Sequence, residues 1–294
     1  MAKQFRLGRF RPTLLLLDDV GADNSFPSSD PFFNDKLILA EGDSWFSIGG
    51  FPPANLLGGL RFKTSTLIAS CASPGDTIVR MANLERNRFY KQALSPRGHA
   101  WDMILLSGGG NDLIDDAHKI VKPRRSRSPR DPSEVDGYVN KKELKTCMNK
   151  ISAGYMTLAE LRDGPRSPAQ HKPILTHTYD YATPRNEPAK FVGFPLLGPW
   201  LYKAFTAQEV PRDYWIDLAK HLMDALAETI LSLQADIDDF HVVDTRKTLV
   251  PAGIDELGQT KHWLNEIHPN HEGYEALGRV IAREKLYRLL YGSP

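Results

Sequence analysis

The hydrophobic positions of this chain gather in short continuous runs rather than in strict alternation with polar ones. Five runs have the length of strands: Leu37-Ile38-Leu39-Ala40, Ser65-Thr66-Leu67-Ile68-Ala69, Met103-Ile104-Leu105-Leu106, Pro173-Ile174-Leu175-Thr176 and His241-Val242-Val243. Continuous apolar character suits strands covered on both faces, as in a parallel sheet. Between the runs lie segments with helical spacing of apolar residues, at 76–86, 141–161, 211–234 and 271–291, the last two long and amphipathic. Strands alternating with helices predict a doubly wound α/β fold. The expected architecture is a three-layer α/β/α sandwich around a five-stranded parallel sheet of flavodoxin-like order, in one domain spanning 36–294.

Three segments exceed what that core needs. Residues 1–35 read as an N-terminal extension, rich in Pro, Ser and Asp near 26–31. An insertion near 115–137 carries the basic run Lys122-Pro123-Arg124-Arg125-Ser126-Arg127-Ser128-Pro129-Arg130, which reads as a solvated loop because like charges and prolines resist packing. A second insertion near 182–212 is rich in Pro, Gly and aromatics and is a candidate lid, with Phe194, Leu196, Leu197 and Trp200 as its apolar face.

Composition narrows the classes of partner. The 294 residues are 41% hydrophobic and 25% charged, with a net charge of +1. A nucleic-acid binder usually carries a basic excess, so no nucleic-acid partner is expected. Two cysteines, Cys71 and Cys147, cannot build a disulfide framework and read as unlinked thiols. The basic segment 1–11 is followed by an apolar run of only Leu14-Leu15-Leu16-Leu17, ended by Asp18 and Asp19, which is too short for a signal-peptide core. No apolar stretch approaches the roughly 20 residues of a membrane span. These features favour a cytoplasmic protein; export without a signal peptide would leave no mark on them.

Open α/β sheets place their ligands at the carboxyl ends of the strands, so the residues just after each run carry the chemistry. They are Glu41-Gly42-Asp43-Ser44-Trp45, Cys71-Ala72-Ser73-Pro74-Gly75-Asp76, Ser107-Gly108-Gly109-Gly110-Asn111-Asp112 and His177-Thr178-Tyr179-Asp180. Just before the last helical segment comes Asn265-Glu266-Ile267-His268-Pro269. Hydroxyl, glycine, amide and imidazole converge on one rim. Acyl transfer needs such a set. A serine hydroxyl is a weak nucleophile until a base takes its proton. Imidazole can do so near neutral pH. The oxyanion then needs aimed N–H donors, which a glycine backbone and an asparagine amide supply. The triple glycine lacks the remainder of a phosphate-binding signature. His262, His268 and His271 lack zinc spacing, so neither cofactor nor metal is expected. The nucleophile elbow of α/β-hydrolases, Gly-x-Ser-x-Gly, is absent around every serine.

Four blocks in order make the chain resemble the SGNH, or GDSL-type, hydrolase family. Gly42-Asp43-Ser44 resembles its first block, Gly75 the second-block glycine, Gly109-Gly110-Asn111-Asp112 the third block, and His268-Pro269 the fifth. The resemblance implies Ser44 as nucleophile, His268 as general base, and an oxyanion hole formed by the Ser44 and Gly75 N–H groups with the Asn111 side chain. It implies hydrolysis of a small-molecule, lipid or carbohydrate ester through an acyl-serine intermediate. Carbohydrate deacetylation, acyl transfer to another alcohol and a degenerate binding module are the alternatives. One position departs from the family: its fifth block usually has aspartate three residues before the histidine, and here that residue is Asn265. Asparagine brings no charge, and in a serine protease the same exchange cost about 10⁴ in kcat by favouring the wrong tautomer. Asn265 is the favoured orienter of His268 all the same, with Glu266 and Asp244 as the other candidates. Trp45, His177 and Tyr179 are candidate walls of the substrate pocket.

Overall fold

A computed structural model describes residues 5–17, 34–47, 54–83, 85–123, 135–191 and 194–292. The Pro- and Ser-rich stretch at 26–31 and the centre of the basic run at 124–130 lie outside the described residues. The five apolar runs form strands β2 (Lys36–Gly42), β3 (Thr66–Ser70), β4 (Met103–Ser107), β5 (Ile174–His177) and β8 (Phe240–Val243). All pair in parallel, in the order β3-β2-β4-β5-β8. Counted from β2, that is the 2-1-3-4-5 order of flavodoxin-like sheets. The strand interiors are buried on both faces, which is why their residues are continuously apolar.

The sheet has six strands rather than the expected five. Thr13–Leu16 forms β1 and pairs in parallel with the outer edge of β3, with Leu14 opposite Ile68. As an edge strand it keeps Leu14 and Leu16 about half exposed, at 43% and 51%. Its Leu14-Leu15-Leu16 run is as apolar as those of the inner strands, but it lies within the segment expected to be an N-terminal extension, so part of that segment belongs to the sheet. Strands β6 (Ala189–Phe191) and β7 (Phe194–Leu197) form a separate antiparallel hairpin within the second insertion.

The helices flank this sheet in two groups. Helices Gly110–Ile120, Lys141–Arg162 and Trp215–Ser232 pack on one another. Helix Leu56–Gly59 packs on His271–Ile281, where a β-carbon on Gly59 would meet the Tyr274 carbonyl oxygen at 2.5 Å. The predicted segment 271–291 is helical throughout, with one π turn, Ala282–Leu286, before Tyr287–Tyr291. The predicted 76–86 helix is shorter: Ile78–Met81, its first turn capped by the Thr77 hydroxyl. Local signals set these starts, for Asn140 and Asn270 likewise accept backbone N–H bonds at the heads of Lys141–Arg162 and His271–Ile281. No disulfide joins Cys71 and Cys147. Among the described residues no helix is long and apolar enough to cross a membrane.

Candidate active site

The site is built where β2, β4 and β5 end. Gly42 closes β2 opposite Ser107 of β4. Only a glycine fits there, because a β-carbon would lie 2.9 Å from the Phe46 ring and 3.0 Å from Ser107. Asp43 then turns the chain, and Ser44 opens the short helix Ser44–Ser47. The Asp43 carboxylate holds this turn from below. It accepts the Trp45 N–H at 2.9 Å, the Ser107 hydroxyl at 3.0 Å and the Tyr179 hydroxyl. Burial pushes the Asp43 carboxyl up to about 6, against the pull of those three donors.

His268 arrives from the loop before the last helix. Its Nε2 meets the Ser44 Oγ at 2.8 Å, and its Nδ1 meets the Asn265 Oδ1 at 3.0 Å. The same Oδ1 accepts the backbone N–H groups of Ile267 at 3.1 Å and His268 at 2.9 Å. Those two donors decide which way the Asn265 amide faces, because an NH₂ group at that point would confront two N–H groups. With oxygen there, Nδ1 must carry the imidazole proton, and Nε2 presents its lone pair to the serine hydroxyl. Burial pushes His268 down to about 4, so the ring is neutral at pH 7. Ser44, Asn265 and His268 are all nearly enclosed, at 5%, 3% and 4% exposure.

The other two candidate acids are engaged elsewhere. The Glu266 carboxylate accepts the backbone N–H groups of Trp200, Leu201 at 3.2 Å and Tyr202 at 2.7 Å, capping helix Leu201–Ala207. Burial pushes it up to about 7 in spite of those donors. Asp244 pairs with Arg246 at 2.6 Å and accepts the Thr178 hydroxyl at 3.0 Å. The Arg246 hydrogen bond holds its carboxyl below the ordinary range.

A cleft opens beside Ser44, and Trp45, Asn111 and Tyr179 share its wall. The Asn111 amide, in the first turn of helix Gly110–Ile120, donates one N–H to the Asp76 carbonyl at 2.8 Å. An amide has two N–H bonds, so one remains for a ligand. Gly75 does not line the cleft. It sits next to Asp76 in an exposed turn at φ +74°, the left-handed region that suits glycine. Trp45 joins the first block to the last through its indole N–H, which donates to the Ile267 carbonyl at 3.2 Å. His177 is not on the cleft wall. It is 2% exposed, stacks on Trp45 at 5.5 Å and bonds Ser107 Oγ through Nε2 at 3.2 Å. Of the lid residues, Trp200 sets its ring edge-on against His268 at 5.6 Å, and Leu197 is exposed at 59%.

Among the described residues no group of three or more His, Cys, Asp or Glu side chains is placed to hold a metal. His262 instead accepts the Val250 N–H, and His271 faces Glu275.

Several supports carried no signal in the sequence. Arg185, fully buried in the second insertion, donates to the Asn265 carbonyl at 2.8 Å and to the Gly258 carbonyl at 2.7 Å, clamping the loop that carries His268. Nothing in the composition of that segment distinguishes this arginine from a surface one. Asp180 ties the loop after β5 to the loop after β8 through the Lys247 and Leu249 N–H groups.

No protein-family model and no curated protein matches the chain. Solved structures do. An extracellular lipase from Streptomyces rimosus is 14% identical over 84% of this chain and 98% of that one, with a TM-score of 0.48. A GDSL-like lipase from Parabacteroides merdae is 12% identical over 85% and 94%, with a TM-score of 0.45. An acetylxylan esterase from Geobacillus stearothermophilus is 15% identical over 85% and 94%, with a TM-score of 0.44. Two of these are lipases and one is an acetylxylan esterase, and this chain is similar to them. The chemistry of the site stands on its own geometry.

Proposed function

We propose that this protein is a serine hydrolase of carboxylic esters. The observation that carries the reading is the unbroken chain from Ser44 Oγ to His268 Nε2 and from Nδ1 to Asn265, at 2.8 and 3.0 Å. His268 takes the Ser44 proton as the oxygen attacks the ester carbonyl. The carbonyl oxygen becomes an oxyanion and is met by the second N–H of Asn111 and by the N–H group of Ser44; Gly75, which the resemblance also implies, lies off the cleft wall. Ser44 is the first residue of its helix, so its N–H has no partner within the helix, whereas the next three N–H groups are taken by Asp43. His268 then passes its proton to the leaving alcohol. Water, deprotonated by the same imidazole, releases the acid from Ser44.

Asn265 supplies orientation without charge. The oxygen of its amide fixes the productive tautomer, so the loss seen when a protease triad receives asparagine need not follow here. The imidazolium formed in the reaction lacks a neighbouring carboxylate, and the proposal implies a slower enzyme that keeps working into mildly acidic solution.

The test is turnover of p-nitrophenyl acetate and butyrate by the purified protein. Hydrolysis that Ser44→Ala abolishes supports the esterase. Absence of turnover in the wild-type protein overturns it and favours a binding module. Preferential transfer of the acyl group to an added sugar would assign an acyltransferase instead.

A further inference from the structure

The cleft beside Ser44 is one-sided in its chemistry. Apart from the strand-end residues, its wall is made by Ile114, Ala182, Leu201, Met223 and Ile267, which are all apolar. They come from separate places. Ile114 lies one helical turn beyond Asn111, on the same face of helix Gly110–Ile120. Met223 comes from helix Trp215–Ser232 and Leu201 from the head of Leu201–Ala207. Ile267 is the neighbour of His268. The two carboxylates on the wall are engaged within the protein: Asp43 accepts from the Trp45 N–H and the Ser107 and Tyr179 hydroxyls, and Asp180 from the Tyr181, Lys247 and Leu249 N–H groups. A sugar ring would find no hydrogen-bond partners among these side chains, and its hydroxyls would lose water without replacement.

The cavity volume is about 30 Å³. A water-sized group occupies roughly 10–15 Å³ on this measure, so two or three such groups fit. Counted from the carbonyl carbon held at Ser44, that is the methyl of an acetyl group up to the three carbons of a butyryl tail. Resting on the esterase reading above, we infer that this cavity is the acyl subsite, that it selects unbranched acyl groups of two to four carbons, and that Ile114 and Met223 set the limit. The alcohol half of the ester then lies outside the cavity, where the wall imposes no such limit.

The experiment compares kcat/KM for p-nitrophenyl acetate, butyrate, hexanoate and octanoate. The ratio between two esters within one preparation does not depend on the fraction of it that is folded. Wild-type protein should favour acetate and butyrate over hexanoate by at least tenfold. Met223→Ala and Ile114→Ala should shift the hexanoate-to-acetate ratio upward by about tenfold or more, the range that one or two methylenes command in an apolar pocket. Ile114→Phe should shift the butyrate-to-acetate ratio the opposite way. If all four esters turn over and these ratios stay flat in every variant, the acyl subsite is elsewhere and the esterase reading survives. If wild-type protein turns over none of them, both readings fall together.

Discussion

Replacing Asn265 with aspartate puts a charge where the wild-type protein has only an orienting oxygen. The Oδ1 of residue 265 lies 3.0 Å from His268 Nδ1 and accepts two backbone N–H groups at 3.1 and 2.9 Å. All three donors suit a carboxylate, so the geometry should persist. Charge centres about 4 Å apart at an effective dielectric constant near 20 attract by about 4 kcal/mol. That corresponds to about 3 pKa units. The new carboxylate also bears a desolvation cost at this buried position, so the expected rise in the His268 pKa is about 1–3 units. Wild-type His268 is pushed down to about 4, and the acid limb of kcat/KM reports the base of the free enzyme. Wild-type activity should therefore stay flat down to about pH 5, and Asn265→Asp should lose activity from a limb about 1–3 units higher. Its plateau at pH 8 to 9 should equal or exceed wild type, because the same charge stabilises the developing imidazolium. The assay is the pH dependence of ester hydrolysis from pH 4 to 9, with melting temperatures for both proteins. An unmoved acid limb, or a plateau lowered about a hundredfold at unchanged melting temperature, would refute this assignment of Asn265.

Glu266→Gln should raise KM and lower stability by about 1–3 kcal/mol, since an amide cannot accept from Trp200, Leu201 and Tyr202 as the carboxylate does. Its kcat/KM against pH should keep the wild-type shape; a shifted acid limb would reassign Glu266 as the acid behind His268. Gly42→Ala should cost about 1–3 kcal/mol by overpacking and should depress kcat by displacing Ser44, as measured by denaturant unfolding and turnover. A neutral result would remove the packing argument. Burial raises Glu41 to about 8, Glu266 to about 7, and Asp43 and Asp112 to about 6. The folded state thus holds these protons more tightly than the unfolded chain. Their contribution is complete below the ordinary carboxyl pKa of about 4 and is lost progressively as pH rises from there to the folded-state values of about 6 to 8, Glu41 being the last to finish. His177 and His268, lowered to about 4, act oppositely, but only below their ordinary pKa of about 6.5. The melting temperature should therefore fall between pH 6.5 and 8.5, and Glu41→Gln should reduce that fall; a rising curve would contradict the burial argument.

The legible parts of the fold were those in which one physical constraint acts on consecutive residues. Inner strands such as β4 are covered on both faces, so Met103-Ile104-Leu105-Leu106 could be nothing but apolar. β1 does carry an apolar run, Leu14-Leu15-Leu16, but it lies inside a segment whose composition reads as an extension, and at the sheet edge Leu14 and Leu16 stay half solvated. The hairpin β6–β7 falls in a segment whose prolines and glycines read as loop. At the site, Ser44, Asn111 and His268 stood out because each follows a strand or precedes the last helix, where backbone geometry repeats. The role of Glu266 did not, since its partners are backbone N–H groups 64 to 66 residues away. Nor did the fate of His177, which alternates with Tyr179 along the chain yet turns under Trp45 while Tyr179 faces the cleft. Arg185 is the extreme case: its partners are carbonyl groups, which every residue has.

The measurement closest to the central claim is covalent labelling by a fluorophosphonate, read by intact mass and peptide mapping. The reagent reports a serine oxygen whose proton is being drawn away by a neighbouring base. A single adduct on Ser44, formed at least about a hundredfold more slowly in His268→Ala, is the expected result. An adduct on another residue, or labelling of Ser44 that is equally fast without the imidazole, would contradict it.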